Sequence, residues 1–315
     1  MSRMGTLSAC GATFLLFSVA GGAGDPEREA LAERLLAAQA QIRTYSVVLT
    51  EDYHAPPQAR SAEEADRLME SLVVGQSTAS GEPVEVDEAT RTRMRRGVRD
   101  RFLKETGFTH RRSFVGVGRK QVRWTMSGDQ VGDSAGASDG ETFTMMQQEE
   151  RYSDQCDFRV TIQRARELSF FQVPPDFGYP YEYWLPRGEF TGVRHTDDGL
   201  ELVSLRLSEG RGTVVLHVDP RKGHMASRVE VRDAVGRLTV VFTADEPRLV
   251  DGIWFPMRVA ETQHVHVNGE QRVKSVRSRT IQRVSLNLEL APDEFGLVIP
   301  PGAMVTDTRV DPAET

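Results

Sequence analysis

Between residues 224 and 290 apolar and polar side chains alternate with a period of two and show almost no helical periodicity, which commits this stretch to antiparallel strands. Val229 and Val231 alternate with Arg228, Glu230 and Arg232; Asp233-Ala234-Val235-Gly236 then turns the chain into Leu238, Val240 and Phe242. These two strands form a hairpin. A further strand carries Gly252-Ile253-Trp254-Phe255-Pro256, and His264-Val265-His266-Val267 runs into Asn268-Gly269, a pair suited to the positive φ of a type I′ turn. Another strand follows, with Val284, Leu286, Leu288 and Leu290 on one face. A meander of this length has to hide one face, and the rest of the chain offers few helices to cover it. A concave apolar face is therefore the first functional expectation.

The N-terminus reads as an export signal: Arg3 supplies a positive start, residues 14–20 an apolar core, and Gly21-Gly22-Ala23 a small-residue cleavage site, placing cleavage after Ala23. The Leu7-Ser8-Ala9-Cys10 tract resembles a lipidation signal, but the apolar run lies after Cys10 instead of before it, so acylation there is not expected. Cys156 then stands alone in the mature chain, which precludes an intrachain disulfide in a periplasmic or otherwise extracytoplasmic compartment. No later segment is apolar enough to span a bilayer as a helix. A formal net charge of -7 argues against nucleic acid as a partner.

Leu31, Leu35, Ala38 and Ile42 fall on one face of a helix over residues 26–43, with Asp25 as N-cap ahead of Pro26. Tyr45, Val47 and Leu49 then open a strand. Residues 55–107 read as a helical insertion, with a helix from Ser61 to Leu72, a Gly/Ser-rich linker over 75–81 and a second helix from Asp87 to about Glu105. That second helix is rich in arginine, including Arg91, Arg95 and Arg99. A solvated face explains the arginines more simply than contact with anionic lipid. A third helical turn is expected near residues 163–173. After it, Pro174-Pro175, Tyr179-Pro180 and Trp184-Leu185-Pro186 form an aromatic loop that either lines a cavity mouth or packs as a lid.

Three local patterns follow in order: Ser138-Asp139-Gly140-Glu141-Thr142-Phe143, Gly252-Ile253-Trp254-Phe255-Pro256, and Phe295-Gly296-Leu297-Val298-Ile299-Pro300 with Gly302 and Asp307 beyond. With the order of export signal, helix, strand, helical cover and meander, they give the chain a form that resembles the lipoprotein-localisation (LolA/LolB-like) superfamily of carriers, outer-membrane lipoprotein-sorting proteins and envelope regulators. The resemblance implies a mainly β, α+β domain over residues 24–310, with 311–315 as a tail. In it a large curved antiparallel sheet forms an unclosed β-barrel with covering helices and a cavity that accepts acyl chains. Each methylene moved from water into such a cavity is worth about 0.8 kcal/mol, so a chain can be held without catalytic residues. The chain is longer than a typical carrier, and no position matches a residue that triggers cargo release.

Competing chemistry is weak. Gly132-Asp133-Ser134-Ala135-Gly136 satisfies a serine-hydrolase pattern, but strand-like residues follow Ser134 where that pattern needs a helix, and neither His54 nor His110 stands in a protease context. The tract reads as a flexible hairpin loop. His264 and His266 share a strand face, and His217 and His224 flank a turn, but no third ligand is specified, so no metal or other cofactor is expected. The sequence therefore predicts a non-enzymatic binding protein for a lipid or lipoprotein acyl chain, with Trp124, Phe143, Trp254 and Phe255 lining the cavity. The alternative is a sensor or regulator of the same fold, its cavity filled, that contacts an envelope protein.

Overall fold

The structure, a computed structural model, describes residues 26–57, 63–64, 104–128, 131–148, 158–164, 173–267 and 269–309. The export signal, the Gly/Ser linker, the arginine-rich helix and Cys156 lie outside the described residues, as does the helical turn expected near 163–173 beyond Arg164 and before Val173.

One helix, α1 (Pro26–Ala40), precedes fourteen strands. They are β1 (Thr44–Ala55), β2 (Thr106–Val117), β3 (Gln121–Gly128), β4 (Val131–Ser138), β5 (Thr142–Gln148), β6 (Phe158–Arg164) and β7 (Gly188–His195). The second half comprises β8 (Glu201–Leu207), β9 (Thr213–Asp219), β10 (Met225–Arg232), β11 (Leu238–Val250), β12 (Ile253–Val267), β13 (Glu270–Leu286) and β14 (Met304–Asp307). All belong to a single sheet in the order β14-β6-β5-β4-β3-β2-β1-β13-β12-β11-β10-β9-β8-β7. Edge strands β14 and β7 do not pair with each other, so the barrel is unclosed. The sheet is antiparallel except at one edge, where β14 runs parallel to β6. Two meanders, β2–β6 and β7–β13, meet at β1, which pairs with β2 on one side and β13 on the other.

The expected hairpins are present: β10 pairs with β11, and β12 turns into β13 through Gly269 at φ +80°. The expected final strand is the continuation of β13, which stops at Leu286 because Asn287 takes φ +55°. Beyond it the chain crosses the outer face. Thr44 donates to the Leu288 carbonyl at 2.7 Å and Arg123 to the Glu294 carbonyl at 3.5 Å before β14 reaches β6.

The tract Gly132–Gly136, expected as a flexible loop, lies within strand β4. Its small residues have a packing reason. A Cβ on Gly136 would lie 2.5 Å from the indole of Trp124, directly opposite on β3, so the ring occupies the space a side chain would take. Gly136→Val is expected to cost about 1–3 kcal/mol through overpacking, read as a lower urea midpoint with an unchanged slope. An unchanged midpoint would show that the indole swings aside freely.

The inner face carries the core. Tyr45, Val47 and Leu49 of β1 continue into Ile281 of β13, Phe255 and Val259 of β12, and Phe114 of β2, all buried. Alternation along β1 keeps these side chains on one face, and Leu31, Leu35 and Ala38 of α1 cover them.

Candidate functional site

A second cover lies on the inner face. Residues 173–187 fold as a 3-10 turn at Pro174–Phe177, a short helix α2 (Tyr181–Trp184) and a further 3-10 turn. This is the aromatic loop of the sequence, and it packs as core: Val173, Phe177, Tyr179 and Tyr181 are buried. Proline at two of the turn's first positions supplies the fixed φ, and the aromatics fill the trough. Several bonds fasten it. The Asp176 carboxylate meets Arg119 at 2.9 Å, Ala226 N–H donates to the Gly178 carbonyl at 2.7 Å, and the Tyr179 hydroxyl donates to the Trp254 carbonyl at 2.8 Å. Glu182 N–H donates to Gln39 Oε1 of α1 at 2.7 Å, and Tyr181 to the His224 carbonyl. This segment is a plug made by the chain itself. Beside it a shallow cleft, lined by Phe177, Pro180, Ala226, Arg228, Val229, Phe242, Thr243 and Ala244, has a volume of ≈ 10 Å³, far below the roughly 300–1,000 Å³ of small-molecule sites.

Where the plug ends, the inner wall changes character. Phe177 lies against the guanidinium of Arg279, 5.4 Å from its ring centre. Arg279 (1% exposed) and Glu51 (3%) face each other across β13 and β1, and His110 (4%) faces Glu51 from β2. The register thus aligns three charged or titratable groups in a buried row. Glu51 takes Arg279 in a direct ion pair, His110 Nε2 at 3.1 Å, Arg112 at 3.5 Å and Arg277 at 3.6 Å. Glu261 of β12 adds a second carboxylate 3.5 Å from Arg277. Burial pushes the Glu51 carboxyl up, but the bond from His110 and the charges of Arg279, Arg112 and Arg277 overcome it and hold the group well below the usual range. Burial pulls Arg112 down to about 10 in spite of Glu51.

Aromatic rings flank the row. Tyr53 and Phe108 stack at 4.8 Å, Phe108 stacks on His110 at 5.5 Å, and Arg112 lies over Phe114 at 4.8 Å and Trp124 at 5.5 Å. Tyr53, Phe108 and Trp124 are half-buried, in contrast to the sealed side chains under the plug.

The four residues expected to line the cavity are not brought together. Trp124 on β3 joins this aromatic wall, and Phe143 is half-buried on β5 in the same half of the sheet. Phe255 is wholly buried in the core on β12, and the neighbouring Trp254 is half-buried against that core. Ser134 sits inside β4 between Met126 and Gln147, with a strand and not a helix after it. His266 Nε2 lies 3.2 Å from the Leu238 carbonyl, and burial followed by His266 lowers the pKa of His264. Among the described residues no three His, Cys, Asp or Glu side chains gather as a metal site.

Sequence reading missed Glu51, Arg112, Arg277 and Arg279, and weighed His110 only as a protease base. A signal existed: Glu51 continues the inward period set by Tyr45, Val47 and Leu49, and Arg277 and Arg279 alternate with Ser278 and Thr280.

No protein-family model and no curated protein sequence matches the chain. Solved structures similar to it include a DUF1329 family protein from Desulfovibrio piger, at 11% identity and TM-score 0.43, covering 86% of this chain and 96% of that one. The LolA superfamily protein NE2245 from Nitrosomonas europaea is similar at 12% identity and TM-score 0.48, covering 84% and 97%. A domain named for outer membrane lipoprotein sorting, from Vibrio parahaemolyticus, is similar at 9% identity and TM-score 0.42, covering 84% and 95%. At such identities and scores the likeness carries no argument about what this chain does.

Proposed function

We propose that the chain is an extracytoplasmic, non-enzymatic binding protein that holds a lipid or lipoprotein acyl chain against the inner wall of its unclosed barrel. The observation carrying this reading is the change along β1: inward side chains are sealed from Tyr45 to Glu51, and beyond the charged row Tyr53 and its partner Phe108 are half-buried. Partly exposed rings in a concave wall are surface that an alkyl chain would desolvate, at about 25 cal/mol per Å². The apolar residues at the start of the sequence support export, and among the described residues no helix is long and apolar enough to cross a membrane.

The plug favours a second reading, the sensor or regulator, because it fills part of the trough with the chain's own residues. Mass spectrometry of organic extracts of the mature protein, purified from its own envelope, separates the two. The lipid reading expects one acyl-bearing molecule per protein; a clean extract, together with no uptake of added single-chain lipids, would remove it in favour of the regulator.

A further inference from the structure

Among the described residues the charged row holds more guanidiniums than carboxylates. Arg112, Arg277 and Arg279 converge on Glu51, and Glu261 meets Arg277 at 3.5 Å and acts on Arg279 at longer range, so among the described residues these three guanidiniums face two carboxylates. Glu261 is further engaged by the Gln263 amide at 2.6 Å. A carboxylate has about four lone-pair sites, whereas three guanidiniums present far more N–H groups than two carboxylates can accept. Buried donors are accordingly left over: Arg112 Nε and Arg277 Nε find no hydrogen-bond acceptor among the described residues. The Nε of Arg277 stands 3.6 Å from Glu51, beyond hydrogen-bond reach. Arg112 falls below the ordinary arginine value because burial, followed by the like charges of Arg279 and Arg277, outweighs the pull of Glu51.

We infer that this row is a binding site for the anionic oxygen head of a single-chain amphiphile, a carboxylate or a phosphate, with the alkyl chain lying on the Tyr53–Phe108 wall. The inference rests on the binding function proposed above and names the ligand's charge. The geometry gives the direction of entry. The Arg279 side chain is 1% exposed and closed off by Phe177, and that of Arg277 is 35% exposed beside the Tyr53 ring, 5.9 Å from its centre. A head group entering past Tyr53 therefore meets Arg277 first. Planar, permanently charged guanidiniums suit an oxygen acid, and the flanking rings exclude water from the contact.

Isothermal titration calorimetry tests this with three probes of equal chain length below their critical micelle concentrations: dodecanoate, lauroyl lysophosphatidylglycerol and the neutral monododecanoylglycerol. At least one anionic probe is expected to bind ten-fold or more tightly than the neutral one, and the better of the two identifies the head as carboxylate or phosphate. In Arg277→Gln, checked for native circular dichroism and melting, the preference for the anionic over the neutral probe is expected to shrink to within three-fold. Equal binding of all three by the wild type, or an undiminished preference in the variant, overturns the anion site and leaves the lipid-binding function standing. No binding of any probe overturns that function and the site with it.

Discussion

Glu51→Gln is expected to remove about 3–5 kcal/mol of unfolding free energy at neutral pH, measured by urea denaturation, because it leaves Arg279 charged and buried without its counter-ion. Arg279 has no route to water past Phe177, and Arg112 and Arg277 stand beside it with like charge. The same carboxylate sets a pH dependence. Its folded-state pKa is depressed, so its contribution is complete above the ordinary value of 4.5 and is lost as pH falls toward the much lower folded value. Between about pH 4.5 and 2 the wild type should therefore lose stability faster than Glu51→Gln, by up to roughly 1.4 kcal/mol per pH unit for one proton, and the two curves should converge. A variant within about 1 kcal/mol of the wild type at pH 7 would show that the arginines are neutralised by other groups.

Phe255→Ala should cost about 3–5 kcal/mol as well, for a different reason. The side chain is 0% exposed within the core, on a strand that the plug clamps at the Trp254 carbonyl, so truncation opens a cavity that the surrounding strands cannot close. The expected signature is a large fall in melting temperature with lipid affinity per folded molecule unchanged. A stable variant with weakened lipid binding would instead put Phe255 in the ligand wall, where the sequence had placed it.

That displacement shows what a sequence reveals in a fold of this kind. The meander from β10 to β13, the first strand and α1 were legible, because period-two and helical spacing and the Asp233–Gly236 turn are local signals. Burial of an aromatic residue was legible too, but its neighbour was not: Trp124 and Phe255 look equally apolar in sequence, and only the plug distinguishes a sealed ring from a half-exposed one. Strand β4 was misread because glycine and serine signal turns, whereas Gly136 is required by an indole on the adjacent strand. The charged row escaped notice because its members come from strands far apart in the chain, and the period that carries Glu51 inward does not say which charges meet it. The unclosed, mainly antiparallel sheet was nonetheless the architecture that the resemblance to the lipoprotein-localisation superfamily implied.

The junction of the two meanders also governs assembly. Most strands pair with a neighbour in sequence, but β1 with β13 unites Glu51 with Arg279, 228 residues away. Closing a loop that long costs roughly 5 kcal/mol of chain entropy, while doubling its length would add only about 0.6, so extra residues between β1 and β2 burden the fold very little. The delay is the larger cost. A chain synthesised from its N-terminus carries one bare edge of β1 until the last long strand arrives, and during that interval the edge is a template for wrong partners. Slow refolding and sensitivity to protein concentration follow from this one late pairing.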